Sequence, residues 1–208
     1  MEIVFATGNM HKLEEASQIL GPEFRLRTPA ELGITEDIPE TSGTLEGNAR
    51  QKAEYVFRRT GLPCFSDDTG LFVDALGGQP GVLSARYAGP GKNAADNVRK
   101  LLHELAGVPE EKDGLRMRTA RFRCVVAYVS NEGCRLFEGK VEGEIAASPR
   151  GEGGFGYDPV FLPARYGLER SFSELSHEEK NAISHRGEAM TRFAEWIRDR
   201  HAEVDTER

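Results

Sequence analysis

Two long runs, Thr119–Val129 and Cys134–Glu144, stand either side of "SNEG" in this chain. Asn131–Gly133 carries hairpin chemistry, so the runs read as two long antiparallel strands, and strands of that length need a sheet to lie in. The chain before them alternates. Glu2–Ala6 is a short apolar run broken by "TGN", after which Leu13, Ala16, Ile19 and Leu20 recur at helical spacing from His11 to Leu20. Phe24–Arg27 reads as a second strand and Thr28–Gly43 as an acidic, proline-bearing loop. Thr44–Thr60 reads as a long helix with Leu45, Ala49, Ala53, Val56 and Phe57 on one stripe. Pro63–Ser66 is a short strand ending at two aspartates, Gly77–Gly91 a loop, and Asn93–Leu105 a helix. Beyond the hairpin come a short strand, Val160–Leu162, and a short helix opened by the capping box Ser176/Glu179. A last helix covers Arg186–Arg200, followed by a polar tail that is expected to fray. Alternation followed by a hairpin predicts an α/β fold with a mixed, twisted sheet. With 208 residues and neither repeat nor linker, one domain spanning 1–208, built as two lobes, is expected.

Composition narrows the partners. The formal net charge of −7 argues against a nucleic-acid sheath, which shows a basic face. No apolar run approaches the roughly 20 residues that span a bilayer, so no membrane partner is expected. The start, "MEIVFATGN", lacks a basic n-region, and the three cysteines are odd in number and widely spaced. A cytoplasmic protein with reduced thiols is therefore expected. An anionic small ligand fits only with local cations, helix N-termini or a bound divalent metal.

Four stretches carry chemistry. "TGNMHK", Thr7–Lys12, joins a strand to a helix; it is either a plain turn or a helix N-terminus whose N–H groups and Lys12 meet an anion. Asp67–Asp68–Thr69 is either an acid-rich turn or a site with one carboxylate facing a ligand, since successive strand residues face opposite ways. Mg²⁺ takes one or two carboxylates and keeps water and phosphate oxygens, and Glu40 in the acidic loop is the candidate second carboxylate. "GGFGYDPVF", Gly153–Phe161, is either a tight turn with core aromatics or a shelf for a base. "EEKNAISHR", Glu178–Arg186, offers Lys180, His185 and Arg186 at a helix junction, as caps or as donors to phosphate and purine oxygens. Lys52, placed on the solvent side of the long helix, is either a further phosphate ligand or an ordinary exposed lysine.

Together these stretches list the needs of a nucleoside triphosphate, and they closely resemble the motifs of the inosine triphosphate pyrophosphatase family. "FATGNMHKLEEA", "FSDDTGLFVDALGGQPGVLSARYAG", "GGFGYDPVF" and "EEKNAISHR" occur in the family's order and spacing, between about Ile3 and Ile197. The resemblance implies an elongated mixed sheet with two α/β lobes around a central nucleotide cleft, a homodimer, and Mg²⁺-dependent hydrolysis of dITP, ITP and XTP to monophosphate and pyrophosphate. By matching motif, Thr7, Gly8, Asn9, Met10, His11 and Lys12 contact the nucleotide and its phosphates. Asp68 is the general base and lies close to the metal, with Glu40 as a further ligand, and Thr69 touches substrate. Phe155, Gly156, Tyr157 and Asp158 hold the base, and Lys180, His185 and Arg186 complete the pocket. Two departures stand out: Leu45 and Gly47 replace the family's usual aromatic and acidic residues in "ETSGTLEGNA", and Thr69 stands where bacterial members have serine. A non-catalytic nucleotide sensor and a pyrophosphatase of the Maf-like kind are the competing readings.

Overall fold

The computed structural model describes residues 1–206. Its strands are β1 (Glu2–Phe5), β2 (Arg25–Arg27), β3 (Cys64–Val73), β4 (Pro80–Gly81), β5 (Glu111–Lys112), β6 (Leu115–Arg116), β7 (Thr119–Ser130), β8 (Gly133–Ile145) and β9 (Phe161–Pro163). Its helices are α1 (Met10–Leu20), α2 (Leu45–Thr60), α3 (Ala94–Glu104), α4 (His177–Ile183) and α5 (His185–Thr206). The strand order is β2-β1-β3-β7-β8-β9, with β4 on β3 and a separate β5-β6 pair. β1 is parallel to both β2 and β3, whereas β3–β4 and β8–β9 are antiparallel, so the sheet is mixed.

Contacts divide the chain into two compact units. The first comprises Met1–Asp68, Cys124–Gly139 and the chain from Arg186 onward; the second comprises Thr69–Arg123 and Lys140–His185. The first unit is centred on Ile3, Phe5, Leu20, Phe65, Val126, Phe137 and Phe193, all buried. Phe5 and Phe65 stack there at 4.3 Å, and Phe65 meets Phe193 at 4.9 Å. The second unit has its own core of Leu71, Leu101, Leu105, Phe122, Val160, Phe161 and Phe172.

Local chemistry explains the helix limits. Thr44 caps α2 by accepting the Gly47 N–H at 3.0 Å, and Gly61 ends it in the left-handed conformation at φ 66°. Asn93 caps α3, and Ser176 with Glu179 forms the expected capping box on α4. Two expectations fail. β3 does not stop at the aspartates but runs on to Val73: β1 pairs it at Cys64 and Phe65, β4 pairs it at Leu71 and Phe72, and β7 is its other neighbour in the sheet. The close approach of β4 requires Gly70, where an added Cβ would lie 2.6 Å from the Gly81 carbonyl oxygen. The last helix also continues past the expected fraying point, to Thr206.

Candidate active site

The Thr7–Lys12 loop sits where β1 hands over to α1. Asn9 is the N-cap: its Oδ1 accepts the N–H groups of His11 at 3.0 Å and Lys12 at 3.3 Å, while Thr7 Oγ1 accepts the Asn9 N–H at 3.1 Å. Two N–H groups expected to be open to an anion are thus taken by the chain's own side chain. Gly8 meets nothing within 4 Å where a Cβ would stand, so chain packing does not demand glycine there. Met10 and His11 are exposed.

Asp67 and Asp68 follow on β3 with opposite environments. Asp67 is 1% exposed and accepts from Lys12 Nζ at 2.9 Å and Arg186 Nε at 3.1 Å. Burial alone would push its carboxyl up, but Lys12, Arg186 and Lys52 outweigh this and hold it well below the usual carboxylate range. Arg186 also donates to Glu15 Oε2 at 2.8 Å, so its guanidinium is shared between two carboxylates. Asp68 is only partly buried. Its Oδ2 accepts from Asn48 Nδ2 at 3.1 Å, and its Oδ1 lies 3.6 Å from Lys52 Nζ. Burial pushes the Asp68 carboxyl up, and Lys52 and Asn48 counter this only in part.

Lys52 overturns its expected solvent position. It is buried, with Nζ 2.5 Å from Glu40 Oε1 and 2.8 Å from the Asp67 carbonyl oxygen. Burial favours its neutral form, yet Asp68, Asp67 and Glu40 keep it charged, with the pKa raised. The helix period carried this information. Counting from Leu45, the positions three, four, seven, eight and eleven residues on are Asn48, Ala49, Lys52, Ala53 and Val56, all buried. Two polar residues on a buried stripe were the signal for Asn48 and Lys52; Glu15 left no such trace.

Among the described residues, no group of three or more His, Cys, Asp or Glu side chains is placed to hold a metal. What exists is a pair of carboxylates, Glu40 and Asp68, on one ammonium. Two hard oxygen ligands suit Mg²⁺, which otherwise relies on water and phosphate oxygens, and do not make an all-protein cage.

The remaining candidates lie in the second unit. Asp158 is buried and its Oδ2 accepts from Phe155 N at 2.6 Å and Lys180 Nζ at 2.6 Å. Only glycine fits at Gly154, where φ is +89° and a Cβ would stand 2.6 Å from that same oxygen. The two aromatics part company. Phe155 is 67% exposed, whereas Tyr157 belongs to the core and donates its hydroxyl to the Ser84 carbonyl at 2.8 Å. His185 stacks on Phe122 with ring centroids 4.7 Å apart. Gly156 takes a left-handed φ of 65°. Thr69 Oγ1 is buried and has no hydrogen-bond partner among the described residues, a polar atom left over by the fold.

Residues 3–196 match the model of the Ham1 family. The chain belongs to that family. Among relatives, a dITP/XTP pyrophosphatase of Porphyromonas gingivalis is 51% identical over 196 residues, covering 94% of this chain and 97% of the relative. One of Bacillus subtilis is 44% identical over 198 residues, covering 94% and 96%. The Staphylococcus aureus Ham1 protein superposes with a TM-score of 0.86 at 35% identity, over 96% of this chain and 100% of that one. A nucleoside-triphosphatase/dITP/XTP pyrophosphatase of Mycobacterium abscessus does so with 0.77 at 43% identity, over 93% and 98%. Within this Ham1 chain, Thr7–Lys12, Glu40, Asp68 and Arg186 fall in the first unit, and Thr69, Phe155–Asp158, Lys180 and His185 in the second.

Proposed function

We propose that this chain hydrolyses the deaminated purine nucleoside triphosphates dITP, ITP and XTP to monophosphate and pyrophosphate, clearing them from the nucleotide pool before a polymerase uses them. The observation that carries the reading is the contrast between the two aspartates. Asp67 is sealed in and spent on Lys12 and Arg186. Asp68 is reachable, held at one oxygen by Asn48, and destabilised as an anion by burial. Such a carboxylate is suited to take a proton. The names of the relatives support the same reaction.

In the proposed mechanism Asp68 removes a proton from water, the water oxygen bonds to the α-phosphorus, and the bond to the bridging oxygen breaks as pyrophosphate leaves. Asn48 keeps Oδ2 engaged, so the water meets Oδ1 once the phosphates draw Lys52, 3.6 Å away, toward themselves. Lys12 and Lys52 supply positive charge to the phosphates, and Thr69 Oγ1 gains the partner it otherwise lacks. Glu40 and Asp68 would hold Mg²⁺, which neutralises phosphate charge and orients the anhydride when bound. Arg186, committed to Asp67 and Glu15, is assigned to fixing the aspartate pair rather than to the base.

Phe155 is the exposed ring on which a base can stack, and Lys180, held by Asp158, is the side-chain donor of the same unit. Hypoxanthine and xanthine present a 6-oxo acceptor where adenine presents an amino donor. A site built on that hydrogen bond discriminates by as much as ~10⁴. We further propose that the enzyme works as a cytoplasmic homodimer. The test is pyrophosphate release from dITP, ITP, XTP, ATP, GTP and dUTP, with Mg²⁺ and with chelator. Release from dITP, ITP and XTP that stops on chelation is expected; equal rates on ATP and dITP would overturn the selectivity.

A further inference from the structure

Lys52 has more contacts than a phosphate ligand needs. Its ammonium carries three N–H groups and faces three oxygens: Glu40 Oε1 at 2.5 Å, the Asp67 carbonyl at 2.8 Å and Asp68 Oδ1 at 3.6 Å. Two carboxylate oxygens and a carbonyl are the hard donors that divalent cations also take. Before any nucleotide arrives, the protein therefore fills its own cation position with an organic cation. The side chain cannot swing away cheaply, because Lys52 is 7% exposed and lies on the buried face of α2.

We infer that Lys52 is a built-in counter-ion that keeps free divalent cations off Glu40 and Asp68 until a triphosphate is present. This rests on the proposed reading of those two carboxylates as the metal's protein ligands. The logic is electrostatic. Glu40 and Asp68 together carry two negative charges, and the ammonium cancels one while blocking the oxygens sterically. A lone Mg²⁺ would have to displace it and meet a bare ammonium a few ångströms away. A triphosphate changes the balance by bringing its own oxygens to both cations, so metal and nucleotide enter as one unit. Asp67 cannot substitute as a ligand, since Lys12 and Arg186 occupy its carboxylate.

The experiment titrates Mn²⁺ into the nucleotide-free enzyme and reads free Mn²⁺ by electron paramagnetic resonance. Lys52→Met is expected to bind Mn²⁺ at least tenfold more tightly than wild type, and Lys52→Arg to bind as weakly as wild type. The double variant Lys52→Met/Glu40→Gln should lose most of the gain. No tightening in Lys52→Met, or an undiminished gain in the double variant, overturns the inference. Wild type supplies an arm that needs no folded variant: beyond the Mn²⁺ that the analogue alone takes up in an enzyme-free control, its Mn²⁺ binding should tighten on adding a dITP analogue with a methylene at the α–β bridge. Equal affinity with and without the analogue, in an enzyme that does release pyrophosphate from dITP, overturns the counter-ion role alone. Failure to release pyrophosphate from dITP would instead overturn the functional reading.

Discussion

Asp67 and Asp68 are chemically identical neighbours, and their surroundings give them different work. Asp67 is a buried anion between two cations; Asp68 is a partly reachable anion between an amide and an ammonium. Asp68→Asn keeps the Asn48 contact within reach but cannot accept a proton, so kcat for dITP should fall at least ~10²-fold with KM little changed, read by steady-state pyrophosphate release. Asp67→Asn acts on stability instead. It strips Lys12 and Arg186 of a buried counter-charge and should cost about 3 kcal/mol in urea denaturation. The pH dependence follows from sign. Folding depresses the Asp67 pKa, so its contribution is complete above the unfolded carboxylate value of about 3.9 and is lost as acidification proceeds below it. The stability gap between wild type and Asp67→Asn should be flat between about pH 6 and pH 8 and close in acid. A gap that widens in acid would contradict the assignment.

At the scale of elements, β3 and α2 set the site. β3 carries both aspartates in extended backbone, and α2 brings Asn48 and Lys52 to them from one stripe. The two elements are joined by Ser66 Oγ donating to the Ala49 carbonyl at 2.5 Å. Beyond the aspartates, Gly70 lets β4 approach β3. Gly70→Ala sets a methyl against the Gly81 carbonyl and should cost about 1–3 kcal/mol, measured as a lowered urea midpoint. An unchanged midpoint would show that β4 yields freely. Thr44→Ala, which removes the α2 cap, should cost about 1 kcal/mol by the same measurement.

The whole molecule has two cores. Phe193 anchors one, fully buried against Phe65, Tyr128 and Phe137; Phe161 anchors the other, against Phe122 and Phe172. Phe193→Ala and Phe161→Ala should each cost about 3–5 kcal/mol of unfolding free energy. Losses below about 1 kcal/mol by chemical denaturation would show that the surroundings collapse into the space. The net charge of −7 is consistent with a polyanionic substrate only because Lys12 and Lys52 are concentrated beside the two aspartates.

The sequence by itself determined the mixed α/β class, the hairpin, all five helices to within a residue at their starts, and the blocks that carry the family motifs. These are local properties: periodicity, caps and turn chemistry act over a few residues, where a linear reading suffices. It missed the length of β3, because "DDTG" has turn chemistry and it is pairing to the neighbouring strands β1, β7 and β4 that holds β3 extended. It could not say which aspartate is buried, since that depends on Lys12 and Arg186, which lie 55 and 119 residues away from Asp67 in the chain. Nor did it place Tyr157 in the core and Phe155 outside it. Charge pairing and burial are decided by distant segments meeting, and that is a property of the tertiary structure alone.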